Sequence, residues 1–262
     1  MEVSKSGFYK WKKRLPKKDE GIKLEAEIQK IHKASRETYG FRRIFKTLKK
    51  SFAPVCKKQV LRLMKKLHLK GIGQRKYKVT TQVSKSALHC PDLLQGNFSV
   101  KKPNHLWTSD ISYIPTKEGW VYLNIILDAF SRSIVGWSLQ DTMRKEIVLD
   151  SLNMAFLNRN GFEEGIIFHS DRGSQYSSEG VKKYLKANKF HQSMSYSCFD
   201  NSITETFFAT LKKELVYRCN FLTRKEAKSS IFEFIEVFYN RVRIHSALDY
   251  LSPLEYEASY RK

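Results

Sequence analysis

The strongest constraint on the fold is a block of alternating apolar and polar residues between Asn104 and Leu139. It divides into three strand-like runs whose links are short enough for antiparallel hairpins. Helix-like and strand-like runs then alternate, which predicts a mixed sheet with helices on its faces. The predicted strands are His105–Ile114, Trp120–Asp128, Ser133–Leu139, Gly165–Phe168 and His191–Ser195, and the predicted helices are Arg144–Asn158, Ser178–Asn188 and Asn201–Tyr217, the last capped by Asp200 or Asn201.

Positive charge is concentrated in the first third of the chain. The formal net charge is +22, and residues 1–80 alone hold 25 Lys+Arg against 6 Asp+Glu. From Lys23 to about Leu69 apolar residues recur at helical spacing, with breaks at Thr38–Gly40 and Ser51–Pro54. Three short helices with tight turns predict a helix-turn-helix-like unit. A unit this basic indicates a nucleic-acid partner, and the alternative is an ordinary three-helix bundle with a basic surface.

The last helix of this basic unit is rich in cations that suit phosphate contact or entry into the major groove. The candidates are Lys57, Lys58, Arg62, Lys65 and Lys66. We predict a basic arm at 1–24 with a short helix near Gly7–Leu15, a helix-turn-helix-like domain at 25–70, a linker at 71–102, the α/β sheet domain at 103–217 and a helical tail at 218–262.

Composition argues against several other classes of protein. No apolar run reaches the length of a membrane span, and Met1–Lys5 lacks the apolar segment of a secretory signal. We therefore expect a cytoplasmic, nucleoid-associated protein with no membrane partner. The scattered Cys56, Cys90, Cys198 and Cys219 favour neither a zinc site nor a disulfide framework.

Three carboxylates lie on separate predicted elements. Asp171 follows a buried strand directly before a Gly turn, Asp110 lies in the first strand, and Glu205 lies in the last predicted helix. Strand ends in α/β sheets are where such folds bind ligands. Three carboxylates in a basic protein indicate a site for hard divalent cations and phosphodiester chemistry, although Asp171 alone could be a turn residue. Lys212, two helical turns beyond Glu205, could hold a phosphate, with Lys213 as the alternative.

Several longer segments resemble the insertion-sequence transposases of the OrfB type, whose core is of the retroviral-integrase kind. The matching segments are Leu106–Tyr113, Leu127–Arg132, Ile134–Trp137, His169–Tyr176, Asp200–Phe208, Phe238–Leu248 and Thr38–Ile44. The resemblance implies an RNase H-like core with a D-D-E triad at Asp110, Asp171 and Glu205. It also implies two Mg²⁺ or Mn²⁺ ions and cleavage and strand transfer at the ends of a mobile element, with double-stranded DNA at those ends and at the target as partner.

Further expectations follow from this resemblance. Arg42 and Arg43 are expected to contact DNA, as are Arg241 and Arg243 near the C-terminus. Joining two ends needs at least two protomers, so we expect a homo-oligomer on DNA, and the product of an upstream reading frame is a possible partner. The alternatives are an inactive relic that only binds DNA and a nuclease that cleaves without joining.

The sequence departs from the family pattern at one point. Only 33 residues separate Asp171 from Glu205, fewer than the family usually has, and the shortfall lies in Ser195–Phe199. Loops absorb such changes without moving the helix that follows.

For the other polar residues near these motifs we weigh structural, supporting and surface roles. We expect a turn or structural role for Asp128, support behind Asp171 for His169, and a solvated position for Glu214. Gln175 and Tyr176 either touch DNA or cap the next helix. His245 either meets phosphate or lies on an exposed C-terminal helix.

Overall fold

The computed structural model describes residues 4–14, 18–51, 54–73, 90–160, 164–195 and 201–260. The chain forms two compact units, Met1–Gln74 and Arg75–Lys262, called here the N-terminal and C-terminal units. The helices are α1 (Lys5–Arg14), α2 (Lys18–Ala34), α3 (Phe41–Ser51), α4 (Lys57–Lys66), α5 (Glu146–Asn158), α6 (Glu179–Ala187), α7 (Ser202–Glu214), α8 (Arg224–Phe232) and α9 (Pro253–Tyr260). The strands are β1 (Leu106–Thr116), β2 (Gly119–Asp128), β3 (Ile134–Gln140), β4 (Ile167–Ser170) and β5 (His191–Met194).

Three helices of the N-terminal unit pack around one small core, which confirms the predicted helix-turn-helix-like unit. Leu24 and Ile28 from α2 meet Ile44 and Leu48 from α3 and Val60 from α4, all of them buried. The predicted arm helix is present as α1, although Leu15 and Pro16 lie outside the described residues. Within the described ranges, no helix of either unit is long and apolar enough to cross a membrane.

The C-terminal unit is built on a five-stranded mixed sheet with the strand order β3-β2-β1-β4-β5. The first three strands pair antiparallel, and β4 and β5 run parallel to β1. The sheet alternates buried side chains between its two faces, as the sequence pattern predicted. This arrangement, with helices on both faces, confirms the predicted RNase H-like fold.

The two faces of the sheet are covered by different helices. On one face α5 and α6 enclose Trp107, Ile126 and Phe168. On the other face α7 and the C-terminal helices enclose Leu106, Ile125 and the other apolar residues of that face. The predicted helical tail is therefore helical as expected, and it packs against the sheet rather than extending from it.

The C-terminal helices are joined to the sheet by specific hydrogen bonds. The side-chain amide of Asn240 accepts a bond from the backbone N–H of Ile134 and donates one to its carbonyl, both at 2.9 Å. Part of the predicted linker also packs on this unit, because Leu94 is buried in its core and Leu93 donates to Ser193 Oγ at 3.0 Å. Residues 74–89 lie outside the described residues.

Strand β1 changes neighbours along its length. It pairs with β4 only at Leu106, Trp107 and Thr108, whereas its pairing with β2 continues to Thr116. Among the described residues no strand pairs with the β4 side of β1 beyond Thr108, and helix α7 packs against β1. The candidate site lies where the β1–β4 pairing ends.

Candidate functional site

Asp110 and Asp171 lie just beyond the point where β1 and β4 stop pairing. The last paired residues are Thr108 and His169, so each carboxylate is two residues past this pair on its own chain segment. Asp110 Oδ1 accepts a hydrogen bond from the backbone N–H of Ile111 at 2.8 Å. Asp171 Oδ1 accepts one from the backbone N–H of Gly173 at 3.0 Å. The end of the β1–β4 pairing therefore brings the two predicted carboxylates together, with Asp110 inside β1 and Asp171 just after the end of β4.

A tight turn presents Asp171. A Cβ atom on Gly173 would lie 3.0 Å from Asp171 Oδ1 and 3.0 Å from Gln175 Oε1. That separation is tighter than ordinary side-chain contacts, so a glycine allows the turn to close on the carboxylate. Gln175 itself donates from Nε2 to the Met143 carbonyl at 3.0 Å, which joins this turn to the segment before α5.

Hydrogen bonds hold the start of helix α7 against β1, at the residues just before Glu205. Asn201 Nδ2 donates to the Ser109 carbonyl at 2.9 Å, and the Thr204 hydroxyl lies 2.7 Å from Thr108 Oγ1. Asn201 is the N-cap residue of α7, as predicted, but its side chain accepts no hydrogen bond from a backbone N–H of the helix. It donates to β1 instead and accepts from the Thr204 hydroxyl. Asp200, the other capping candidate, lies outside the described residues, as does most of the loop Ser195–Phe199.

The electrostatics centre on Asp110. Its pKa is raised from 3.8 to about 7, chiefly by burial and next by the negative charges of Asp171 and Glu205, while the Ile111 N–H and Lys212 act in the opposite direction. Burial also raises the pKa of Asp171 and of Glu205. Burial lowers the pKa of Lys212, and the charge of Asp110 partly opposes that change. Asp110 thus interacts with both other predicted carboxylates and with the predicted lysine.

We call Asp110, Asp171 and Glu205 the carboxylate site. Their side chains decide which metal ions this site could bind. In the part of the chain that the structure describes, no three His, Cys, Asp or Glu side chains are close enough to hold a metal ion jointly. The donors nevertheless suit a hard divalent cation, because all are carboxylate oxygens. A cation beside Asp110 would stabilise its charged form against burial, and against the repulsion from Asp171 and Glu205, which together raise its pKa.

A polar network lies beneath the carboxylate site. The Tyr176 hydroxyl is 2.6 Å from Asn124 Oδ1 and 3.0 Å from Ser109 Oγ, and all three residues are fully buried. Burial raises the pKa of Tyr176 well above its usual value, and the charges of Asp171 and Asp110 add to this effect. Both sequence-based roles for Tyr176, DNA contact and helix capping, are therefore wrong. The sequence signal for this network was a lone Asn124 in the otherwise apolar run Val121–Leu127.

Two residues behind the carboxylate site have supporting positions. His169 is fully buried, with Nδ1 2.9 Å from Ser193 Oγ and its ring against Phe98. Asp128 is also fully buried and accepts hydrogen bonds from the backbone N–H groups of Asn104 and Phe130. Asp128 therefore has the structural role that the sequence predicted.

Two predictions near the C-terminus are corrected by the structure. Glu214 was expected to be solvated, but it is buried and paired with Arg243 at 2.8 Å. Arg243 was expected to contact DNA, but its buried guanidinium is directed at this partner. Arg241 remains exposed and donates from Nε to the Glu236 carbonyl. His245 is half-buried against the ring of Tyr239 rather than on an exposed helix.

The predicted DNA-contact residues of the N-terminal unit lie mostly on its surface. On α4 the cations Lys58, Arg62 and Lys65 recur at helical spacing and are exposed, as are Lys57 and Lys66. Lys66 is paired with Glu25 at 2.6 Å. On α3, Arg42 is exposed, whereas Arg43 is half-buried with its guanidinium over the ring of Tyr39.

Comparison with known proteins gives matches over most of the chain. Residues 100–197 and residues 205–259 each match a family described as an integrase core domain, and residues 17–77 match an HTH-like domain. The chain is 37% identical to the insertion element IS600 uncharacterized 31 kDa protein of Shigella sonnei, over 99% of this chain and 97% of that protein. It is 39% identical to the transposase for insertion sequence element IS904 of Lactococcus lactis, over 89% of this chain and 93% of that protein.

Solved structures also show similarity. One chain in the structure of the simian T-cell lymphotropic virus intasome in complex with PP2A regulatory subunit B56 gamma superimposes with a TM-score of 0.49 at 16% sequence identity. The alignment covers 78% of this chain and 67% of that chain.

Proposed function

Because this chain belongs to the insertion-sequence transposases and carries their integrase core, we propose that it cuts and joins the DNA ends of a mobile element. The observation that carries the proposal is the position of Asp110. It lies two residues past the end of the β1–β4 pairing, where the charges of Asp171, Glu205 and Lys212 act on it. Three acids and one cation at this point of the sheet match the charges of a metal-assisted reaction on a phosphodiester.

We propose that Asp110, Asp171 and Glu205 hold two Mg²⁺ or Mn²⁺ ions. When bound, these ions would stabilise charge on the attacking and leaving oxygens of a phosphodiester. The chain's own contribution is to hold the acids in place. The Gly173 N–H fixes Asp171, the Ile111 N–H fixes Asp110, and the contacts of α7 with β1 fix the start of the helix that bears Glu205.

The proposed reaction has two balanced steps. In cleavage, water attacks phosphorus, the bond from phosphorus to the 3′-oxygen breaks, and the water proton leaves as the 3′-oxygen gains one. In joining, the new 3′-hydroxyl loses its proton and attacks a target phosphodiester, and the target's 3′-oxygen leaves and takes up a proton. The Lys212 ammonium would contact the phosphate next to the reacting one.

We further propose that the N-terminal unit binds the element end. Its exposed stripe of Lys58, Arg62 and Lys65 offers three cations on one helix face, which suits phosphate contact along a groove. Joining two ends requires two copies of the carboxylate site, so the active form would be a homo-oligomer on DNA, with or without the upstream-frame product.

The test is metal-dependent cleavage and joining of a duplex that carries the element's own end. The wild-type chain would be compared with Asp110→Asn, Asp171→Asn and Glu205→Gln, with and without the upstream-frame product. Asp249→Asn is the matched control, because this exposed residue has φ 50, a conformation that Asn tolerates. We expect products with Mg²⁺ or Mn²⁺ from the wild type and the control only.

Other results would indicate a different function. Binding without metal-dependent products under every condition would leave a DNA-binding protein and remove the enzyme. Cleavage without joined products would indicate a nuclease. Equal activity in the wild type and Asp171→Asn would show that the carboxylate site is not the reacting centre.

A further inference from the structure

Two large aromatic side chains are exposed on neighbouring strands of the sheet. Tyr113 on β1 is 56% exposed and Trp120 on β2 is 51% exposed. Their rings meet edge to face, with centroids 5.1 Å apart. Single exposed apolar residues are common on protein surfaces, but an exposed pair of this size is a feature that needs a reason.

The pair is connected to the carboxylate site through Lys212. Tyr113 follows Asp110 by three residues on β1, so the two side chains leave opposite faces of the strand. Lys212 Nζ lies 5.1 Å from the centroid of the Tyr113 ring. Lys212 is also the cation whose charge acts on Asp110. Lys212 therefore lies over one ring of the aromatic pair and acts through its charge on Asp110.

The sheet leaves this surface open. Tyr113 pairs with Tyr122, and Trp120 pairs with Pro115, so the two aromatic rings share one face of the β1–β2 hairpin. On that face α5 and α6 pack over Trp107 and Ile126, towards the other end of the strands. The hairpin end leaves about half of each aromatic side chain exposed to water.

We propose that Tyr113 and Trp120 form a stacking site for an unpaired nucleobase of the DNA end, with Lys212 on the phosphate of the same strand. The proposal rests on the proposed function, since it requires DNA at the carboxylate site. Aromatic rings next to a cation are the combination that binds single-stranded nucleic acid, because every base has a π-face and every nucleotide a negative charge. A base inside a duplex has both faces covered, so the site selects one that has left its pair.

This site gives the aromatic pair a specific role in the reaction. A base held on Tyr113 would keep the DNA end frayed and fix its backbone against Lys212, whose charge also acts on Asp110. The ordinary alternative is that the pair only stabilises the hairpin through its cross-strand contact. The two explanations differ in what the pair does to DNA, so they can be separated by binding measurements.

The experiment uses the full chain in EDTA, so that no chemistry occurs. Its probes are two duplexes with the element's terminal sequence, one fully paired and one with unpaired terminal nucleotides that include 2-aminopurine. For the wild type we expect quenching of 2-aminopurine and tighter binding of the unpaired end. In Tyr113→Leu/Trp120→Leu we expect that preference to fall by about 5- to 100-fold, from the loss of base stacking, while binding of the paired duplex stays within about twofold.

Two control variants make the result specific. Tyr260→Leu removes a tyrosine of similar exposure on α9, 49% against 56%, and should keep the preference. Tyr113→Phe/Trp120→Phe keeps the ring faces and should restore it. Thermal melting of every variant reports any loss of folding.

A preference retained by the double Leu variant would overturn the proposal, as would equal loss on both duplexes. Failure of the proposed function would look different. Asp171→Asn should keep the base preference in EDTA, so absent cleavage together with intact stacking would reject the catalytic proposal alone.

Discussion

Arg243 and Glu214 form a buried two-point ion pair. Arg243 Nη2 lies 2.8 Å from Glu214 Oε1, and Arg243 Nε lies 2.9 Å from Glu214 Oε2. Glu214 is the last residue of α7, the helix that carries Glu205, and Arg243 follows the helical segment Glu233–Tyr239. The pair therefore ties the C-terminal region to the helix that supplies one acid of the carboxylate site.

Breaking this ion pair from one side should be costly. Arg243→Met would leave the Glu214 carboxylate buried without its cation, and we expect a loss of about 3–5 kcal/mol in the free energy of unfolding. Urea denaturation at pH 7 measures it. Arg241→Met, two residues away at an exposed position, should change stability by less than about 0.5 kcal/mol.

The double variant Arg243→Met/Glu214→Leu checks the cause. It removes both charges, so it should recover most of the stability lost in Arg243→Met. If Arg243→Met unfolds at the same urea concentration as Arg241→Met, the ion pair contributes nothing and the explanation is wrong.

The strands and helices could be predicted from sequence because their signals are local. The β-branched and aromatic run Trp120–Leu127 between two turn segments predicts β2 without knowledge of any partner. The Arg243–Glu214 pair could not be predicted, because 29 positions separate the two residues. Helical rotation alone assigned Glu214 to solvent, since the segment that covers it comes from elsewhere in the chain.

The candidate site was also predictable from sequence only in part. Asp110 and Asp171 could be predicted to lie together because Asp171 follows one strand-like run and Asp110 lies in another. The structure brings them together where the β1–β4 pairing ends, although β1 itself continues beyond Asp110. The role of Tyr176 could not be found, because a tyrosine after a turn has the same local sequence whether it meets solvent or Asn124. Buried polar networks depend on contacts between strands and loops that sequence periodicity does not encode.

Gly136 allows α5 to lie directly on β3. A Cβ at this position would lie 2.2 Å from the Ser151 carbonyl oxygen and 2.8 Å from Ala155 Cβ. Gly136→Ala should therefore force the helix away and destabilise the C-terminal unit by about 1–3 kcal/mol or more, measured by thermal or urea unfolding. Gly180→Ala on α6 meets only ordinary contacts of 3.7 Å and beyond, so it should be neutral or slightly stabilising. Equal stability of the two variants would contradict the close contact.

The stability of the metal-free protein should fall as pH rises from about 4 to 8. Asp110 has a pKa of about 7 in the fold against 3.8 ordinarily, so its neutral form is favoured by folding. Its contribution is complete below the ordinary pKa and is lost as pH rises through about 7. Asp171, Glu205 and Lys212 are the charged groups that act on it.

Asp110→Asn should remove this contribution. Because the Asp110 side chain is only half-buried, we expect the variant to be more stable than the wild type by roughly 1–3 kcal/mol at pH 8 in EDTA. At pH 4 the two proteins should be alike. Urea unfolding across this range measures the difference, and a constant difference at all pH values would refute the assignment to Asp110.

Lys212 and Lys213 can be separated by substitution. Lys212 lies over the Tyr113 ring and acts on Asp110, contacts that place it beside the carboxylate site. Lys212→Ala should lower the rate of metal-dependent cleavage by about 10- to 100-fold, whereas Lys213→Ala, on the same helix, should reduce it by less than about threefold. Cleavage of the element end under single-turnover conditions measures both, and the reverse order would assign the phosphate contact to Lys213.

Tyr176→Phe tests whether the buried network holds the carboxylate site in place. The hydroxyl is bonded to Asn124 on β2 and lies 3.0 Å from Ser109 on β1, while Tyr176 belongs to the turn that presents Asp171. Ser109 still reaches Asn124 Oδ1 at 3.1 Å in the variant, so the loss of unfolding free energy should be only about 1–2 kcal/mol. Cleavage should fall by about 10- to 100-fold, since small displacements of reacting groups are costly, and binding of the element end should be unchanged.

Tyr184→Phe on α6 removes a hydroxyl from a half-buried tyrosine of the same unit and should keep full activity. A Tyr176→Phe variant as active as Tyr184→Phe would show that the network stabilises the sheet without positioning Asp171.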